Sequence, residues 1–300
     1  MTTAKPLSKA ELCAALVERK PEDHKGVYGH VLIVAGSRGM AGAAILAARA
    51  ALRSGAGLVT VATPVGAAPT VAGAVPSAMT LALPENAAGV FLPEGADRLQ
   101  EYIRDRRVTT MALGPGLTAH PDASRFVLRL LSDAALPAVV DADALNILAQ
   151  QKTKARKHPT VFTPHPGEAA RLLGIKTAEV ESARQECVER LARSLGGVVL
   201  LKGSRTLISS SARTIVNTTG GPALAKGGSG DVLTGLIAGL WAQMQASGRV
   251  KEEDPFLAAS LGAWLHGVAG EQAAKAMTPW AVTSTDLIGY LPQAFKALCD

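Results

Sequence analysis

The run His30-Val-Leu-Ile-Val-Ala35 is apolar at every position after the histidine, and Gly36 ends it. A short strand with no polar face needs a sheet covered on both sides. A helical pattern of small residues follows over roughly 43–54, and then a second apolar run, Leu58-Val-Thr-Val-Ala62. Strand, helix and strand in that order make a βαβ unit, because parallel neighbours need a crossover. Further strands are expected at 78–83, 108–113, 137–141, 160–163, 197–202, 205–209 and 213–216. Helical patterns fall near 122–132, 167–173, 178–195, 231–245, 255–276 and 284–297. The alternation predicts an α/β fold: a three-layer α/β/α sandwich with a mostly parallel central sheet.

No repeat or linker interrupts this pattern. Residues 8–19 read as a short amphipathic helix, joined by the polar link Lys20 to Gly26. The expected division is an N-terminal helical extension over 1–25 and one domain over 26–300. The chain is 48% hydrophobic but only 4% aromatic, which suits small-residue helices packed closely on a sheet. The net charge of +6 comes from scattered basic residues. The densest cluster, Lys152 to Lys157, lacks aromatic interleaving, so it reads as a solvated loop or helix end, and no nucleic-acid partner is expected. Anionic small substrates fit the mild basic excess. Cys13, Cys187 and Cys299 lie far apart, with neither metal-ligand nor redox-motif spacing. With no signal-peptide core and no run of about 20 apolar residues, a cytoplasmic protein without a membrane span is expected.

The densest chemistry lies in Ala225-Lys-Gly-Gly-Ser-Gly-Asp-Val-Leu-Thr-Gly-Leu-Ile-Ala-Gly-Leu240. Gly227, Gly228 and Gly230 crowd a turn ahead of the apolar face Val232, Leu233, Leu236, Ile237 and Leu240. A glycine-rich turn that opens a helix aims unpaired N–H groups outward, and the helix dipole adds positive potential there. Asp231 is an acid inside that anion-binding geometry. It reads either as a base for an attacking hydroxyl or as a favourable helix-start residue.

Other strand ends carry candidates with two readings each. Gly36, Gly39 and Gly42 have G-x-x-G-x-x-G spacing, and the second strand ends in Thr63-Pro64 with no acid for a ribose hydroxyl. A hydride-transferring Rossmann enzyme is therefore disfavoured. Leu113-Gly-Pro-Gly-Leu117 is either a ligand-side turn or a structural one. Asp141 and Asp143 could orient neighbours or hold metal-bound water, with one of them a helix cap. Thr163-Pro-His-Pro-Gly-Glu168 is a rigid loop that presents His165 and Glu168 before a helix. Glu168 could act through Mg²⁺-bound water or serve as a first-turn acid. Lys202 ends an apolar strand. Its hairpin-like turn through Gly203, Ser204, Arg205 and Thr206 suits a nucleotide and ordinary hairpin chemistry alike.

In sequence, these motifs resemble the ribokinase-like superfamily and, within it, the ADP/ATP-dependent NAD(P)H-hydrate dehydratases. The resemblance runs over roughly residues 25–297. It includes Tyr28-Gly-His, Ser54-Gly-Ala-Gly57, Gly114-Pro-Gly-Leu, Asp141-Ala-Asp-Ala-Leu-Asn, the Thr163-Pro-His-Pro-Gly-Glu loop, Lys202-Gly, Gly227-Gly-Ser-Gly-Asp, Leu265-His-Gly-Val-Ala-Gly270 and Thr285-Asp-Leu287. It implies a ribokinase-like fold and repair of NADHX or NADPHX to NADH or NADPH. The hydrate hydroxyl would be phosphorylated by ADP or ATP with Mg²⁺, and phosphate would then leave. Carried over by residue, Ala43, Gly116, His165 and Asp231 would contact the hydrate, with Asp231 as the base. Lys202, Gly203, Ser204, Arg205, Thr206 and Gly230 would contact the nucleotide. Gly228, Ser229 and Gly230 would form the anion hole, and Glu168 would hold metal through water.

The resemblance also implies a homotetramer, an ADP user, and an epimerase on a separate chain, since residues 1–25 are too few to hold one. Gly221 and Ala169 depart from the family, which often has Asn and Met there. The alternatives are a small-molecule kinase of the thiazole or hydroxymethylpyrimidine type and a non-catalytic nucleotide sensor.

Overall fold

The computed structural model describes residues 4–151, 156–248 and 250–299. Its strands are β1 (His30–Val34), β2 (Leu58–Pro64), β3 (Met79–Leu83), β4 (Thr110–Leu113), β5 (Ala138–Val140), β6 (Thr160–Phe162), β7 (Val198–Leu201), β8 (Leu207–Ser209) and β9 (Thr214–Val216). Its helices are α1 (Lys9–Cys13), α2 (Ala41–Arg53), α3 (Ala68–Ala74), α4 (Gly95–Asp105), α5 (Pro121–Asp133), α6 (Ala142–Gln150), α7 (Pro166–Leu173), α8 (Thr177–Ser182), α9 (Arg184–Leu195), α10 (Ser229–Ala246), α11 (Asp254–Met277) and α12 (Ser284–Cys299).

One sheet holds the strands in the order β3-β2-β1-β4-β5-β6-β7-β8-β9. Every pairing from β3 across to β7 is parallel. The hairpin partners β8 and β9 complete one edge in antiparallel register, with Leu201 opposite Leu207. The expected βαβ unit is present: β1 and β2 pair in parallel with α2 between them. Side chains alternate along β1, so Val31 and Ile33 join one apolar cluster while Leu32 and Val34 join another. The first cluster is closed by α2, α10, α11 and α12, and the second by α4, α5, α6, α7 and α9. Those two cores and the sheet between them are the three layers predicted.

Helix α10 reaches the sheet centre because two helices meet with almost no side chain between them. A Cβ on Gly235 would stand 1.9 Å from the Ala47 carbonyl oxygen of the alanine-rich α2. Leu236, Ile237 and Trp241 are fully buried on α10. Burying an aliphatic chain of that size contributes about 1.5–3 kcal/mol.

Some elements differ from expectation. The N-terminal helix covers only Lys9–Cys13, started by a Ser8–Glu11 capping box. The pattern over 178–195 divides into α8 and α9 at Ala183, whose backbone is not helical (φ −131°, ψ 43°). Helices α3, α4 and α6 were not expected. The first, Ala-Pro-Thr-Val-Ala-Gly-Ala, contains Pro and Gly, which weaken the local signal. The third follows β5 so closely that its acids read as a strand-end turn. Within the basic cluster Lys152 to Lys157, residues 152–155 lie outside the described ones. Of its described residues Lys157 is exposed, as expected, whereas the Arg156 side chain is half-buried. It donates to the carbonyls of Leu131 (3.0 Å), Ala134 (2.6 Å) and Leu136 (3.0 Å). Among the described residues no helix is long and apolar enough to cross a membrane.

Candidate active site

The carboxyl ends of β5, β6 and β7 face the start of α10 across a cavity of about 820 Å³. In parallel α/β sheets that end of the strands is where ligands bind. Gly228 caps α10 in the left-handed region at φ 85°, where a Cβ would strike Leu46 at 2.5 Å. Glycine is therefore required on both counts. The N–H groups of Gly228, Gly230 and Asp231 donate to no protein acceptor among the described residues, and they lie at the positive end of an 18-residue helix.

Asp231 lines the cavity from the first turn of α10. Its carboxyl accepts no side-chain or backbone hydrogen bond among the described residues. Burial, and next the charge of Asp141, push its pKa up to about 7, against the pull of Lys202. A carboxyl at that value can take a proton near neutral pH and hold it.

Beneath Asp231 lies a charged network that joins three strand ends. Asp141 follows β5 and is almost fully buried. Lys202 Nζ, at the end of β7, donates to Asp141 Oδ1 at 2.7 Å, and Thr234 Oγ1 of α10 donates to Oδ2 at 2.7 Å. Burial opposes the Lys202 charge, but Asp141 and Glu168 outweigh it and hold the ammonium protonated. Glu168 stands 3.7 Å from Lys202 Nζ. Burial raises the Glu168 pKa, and the Asp141 charge adds to that, while Lys202 opposes it.

The loop before α7 positions His165 through its own backbone. His165 Nδ1 accepts from the N–H of Gly167 at 3.0 Å and of Glu168 at 3.4 Å, and Glu168 Oε2 accepts from the His165 N–H at 2.7 Å. The pair is thus a reciprocal cap on α7. Burial first, then Lys202 and Arg171, depress the His165 pKa, so the ring is neutral at neutral pH. With Nδ1 accepting, its proton is on Nε2, on a side chain half exposed at the cavity.

Gly203, Ser204, Arg205 and Thr206 line the same cavity beside Lys202. Thr206 Oγ1 donates to the Gly203 carbonyl at 2.9 Å, and the Asn217 N–H donates to the Thr206 carbonyl at 2.7 Å. Arg184, at the start of α9, holds this loop from behind. Its Nη2 donates to the carbonyls of Leu201 and Lys202, both at 3.2 Å. Ala43 and Gly116 are brought together elsewhere: a Cβ on Gly116 would lie 3.1 Å from that of Ala43, but neither residue lines the cavity that holds Asp231.

Several wall residues had no role in the sequence reading. Asn217 and Thr219 come from the segment after β9 and His266 from α11, while Thr234 of α10 lies behind the wall on Asp141. His266 Nε2 lies 3.2 Å from Ser229 Oγ, and burial pushes its pKa down to about 4, so the ring is neutral. Only the Leu265-His-Gly-Val-Ala-Gly270 element of the resemblance touched it.

Among the described residues no group of three or more His, Cys, Asp or Glu could cage a metal ion. Both Asp141 oxygens are taken by Lys202 and Thr234, and one Glu168 oxygen by the His165 N–H. This donor set fits a Mg²⁺ that keeps its waters rather than one bound directly.

The family profile for NAD(P)H-hydrate dehydratase matches residues 31–293. The chain is 44% identical to the bifunctional NAD(P)H-hydrate repair enzyme Nnr of Moorella thermoacetica, over 97% of this chain and 54% of that one. It therefore spans about half the length of the first curated relatives it matches. It is 33% identical to the ADP-dependent (S)-NAD(P)H-hydrate dehydratase of Bacillus subtilis, over 94% of this chain and 95% of that one. The crystal structure of the Bacillus subtilis ADP/ATP-dependent NAD(P)H-hydrate dehydratase, co-crystallized with ATP/Mg²⁺, superposes with a TM-score of 0.83 at 30% identity, covering 99% of this chain and 100% of that one. The profile match over residues 31–293, the Bacillus subtilis relative and the shared ribokinase-like α/β fold place this chain in the NAD(P)H-hydrate dehydratase family.

Proposed function

We propose that the chain converts (S)-NAD(P)H-hydrate to NAD(P)H at the expense of ADP or ATP. The observation that carries this is Asp231: a carboxyl with a pKa of about 7 and no hydrogen-bond partner among the described residues, set in the N-terminal turn of α10. Asp231 takes the proton from the hydrate hydroxyl as its oxygen attacks the terminal phosphorus of the nucleotide. The P–O bond to the nucleotide breaks, and the N–H groups of Gly228, Ser229 and Gly230 receive the developing charge. The Ser229 N–H joins them by leaving its contact with the Lys226 carbonyl, which is long at 3.3 Å. The nitrogen-conjugated ring carbon then loses phosphate with electron push from nitrogen, and loss of a neighbouring proton restores the reduced ring. Phosphorylation is needed because hydroxide leaves poorly and phosphate leaves well.

The loop Lys202 to Thr206 and Gly230 would hold the nucleotide, and His165, Ala43 and Gly116 the hydrate. For Ala43 and Gly116 this needs a substrate that extends past the cavity of Asp231. Glu168 would hold Mg²⁺ through water, and that ion would neutralise phosphate charge. The same reading includes preference for ADP, a homotetramer, a cytoplasmic location, residues 1–25 as an extension to a 26–300 domain, and an epimerase as the partner activity. The family resemblance supports these, and the Moorella thermoacetica relative is itself named bifunctional.

The test is a coupled assay with NADHX, Mg²⁺ and either ADP or ATP, which follows the return of reduced-nicotinamide absorbance. Phosphorus NMR should show a nucleotide one phosphate shorter, with phosphate released in step with NADH. A persistent phosphate ester with no gain of NADH would instead mark a small-molecule kinase.

A further inference from the structure

Cys13 ends α1 and Cys299 ends α12, and their sulfur atoms lie 3.9 Å apart although 286 residues separate them. The fold brings them together by docking the N-terminal segment on the last helix. Lys9 Nζ donates to the Ala297 carbonyl at 2.9 Å, and Leu12 and Leu298 are buried in the same apolar cluster. Upstream, the Val216 N–H donates to the Lys5 carbonyl, so the segment is held at both ends. Cys299 is exposed and Cys13 half-buried, whereas Cys187 is buried. A disulfide needs its sulfurs at about 2.05 Å, so the pair must close by a little under half its distance. Each residue is the last of its helix, where backbone and χ1 adjust most easily.

We propose that Cys13 and Cys299 are an oxidation site that closes a disulfide between the N-terminal segment and the last helix, with a peroxide as the oxidant. The Cys299 thiolate attacks the peroxide: an S–O bond forms, the O–O bond breaks and one water leaves. The Cys13 thiolate then attacks that sulfur: the S–S bond forms, the S–O bond breaks and a second water leaves. Two thiols lose two electrons and two protons, and one peroxide takes them. The bond closes a loop over nearly the whole chain, which restricts the unfolded state strongly. It lies about 22 Å along α12 from Ser284, the residue that holds the Gly227 carbonyl at the anion-binding turn. Oxidation therefore stabilises the fold and leaves turnover unchanged.

The test treats the full reduced chain with hydrogen peroxide, removes the excess with catalase, alkylates remaining thiols and maps tryptic peptides without reduction. The expected result is a cross-linked peptide pair holding Cys13 and Cys299. It comes with a rise in unfolding midpoint of about 3–10 °C that dithiothreitol reverses. Cys13→Ser and Cys299→Ser each lose both signals, and Cys187→Ser keeps both. Two singly alkylated thiols after treatment, oxygen on either sulfur in place of the link, or a Cys299–Cys299 bond between two copies would overturn the proposal.

Discussion

Two polar clusters stand at opposite ends of one sheet, and among the described residues only one of them turns unpartnered polar groups toward a cavity. At the amino end, His30 opens β1. Its Nδ1 lies 3.0 Å from the Arg106 carbonyl oxygen and its Nε2 2.8 Å from Thr60 Oγ1, which in turn meets the Tyr102 hydroxyl at 2.8 Å. Burial depresses the His30 pKa, and the neutral ring fits a fully partnered site that fastens the end of α4 to the sheet. At the carboxyl end, Asp141, Lys202 and Thr234 satisfy one another, but Asp231 and the N–H groups of the α10 turn face a cavity. Burial alone does not separate the clusters. A closed set of partners makes structure, and an acid left without partners beside open donors makes a reaction site.

The sharpest way to break that contrast is Asp231→Asn. It should lower turnover by roughly 10²–10⁴-fold, the usual effect of losing a general base, while nucleotide still binds. In the wild-type protein kcat/KM should rise with pH through about 7 as the carboxylate forms. Stability should move the opposite way. The folded pKa is raised, so between the ordinary carboxylate value and about 7 the unfolded chain binds fewer protons, and ionisation destabilises the fold as pH rises. Asp231→Asn should therefore raise the unfolding midpoint more at about pH 8 than at about pH 5. A folded variant with near-normal turnover would remove Asp231 from the chemistry.

Truncation within each cluster separates them further. Asp141→Ala removes the carboxylate hydrogen-bonded to the buried Lys202 ammonium, leaving Glu168 and Asp231 as the acids near it, and should cost about 3–5 kcal/mol by denaturant unfolding. His30→Ala should cost about 1–3 kcal/mol by orphaning the Arg106 carbonyl, which accepts from Nδ1, and the Thr60 hydroxyl, which donates to Nε2, with KM for both substrates unchanged. A His30→Ala variant that kept its stability but lost kcat would collapse the distinction between the two ends.

The smallest effect tests how the nucleotide loop is held. Arg184→Met removes two hydrogen bonds to carbonyls at the end of β7, from a side chain that does not itself line the cavity. It should raise KM for the nucleotide by roughly 5–10-fold, the scale of one net hydrogen bond, and leave KM for the hydrate alone. Equal changes in both would mean that the loop does not act on the nucleotide separately.

Much of this contrast was legible locally. The apolar runs gave the positions of the nine strands in the described sheet, because most of them, unlike the edge strand β3, are buried on both faces and carry their signal in consecutive residues. The glycine turn before α10 was legible because a left-handed Gly228 is a local backbone requirement. What escaped was long-range. Arg184 has no role in the sequence reading, where it falls inside the helical pattern over 178–195. Thr234 has no role in that reading either, and Asp141 stayed one of two acids, with no sign of which would pair.

The sequence by itself determined the alternation of strand and helix, the glycine turn, and the placing of Asp231, His165 and Lys202 beside strand or helix ends. Those features rest on side-chain period and backbone chemistry within a few residues. Only the tertiary structure decided that Lys202 meets Asp141 across 61 residues and Thr234 meets it across 93. The strand order sets those meetings, since parallel pairing aligns the carboxyl ends of β5, β6 and β7 whatever the length of chain between them. The same packing decided the pKa of Asp231. Desolvation and the field of Asp141 belong to the assembled cavity and to no segment of the chain.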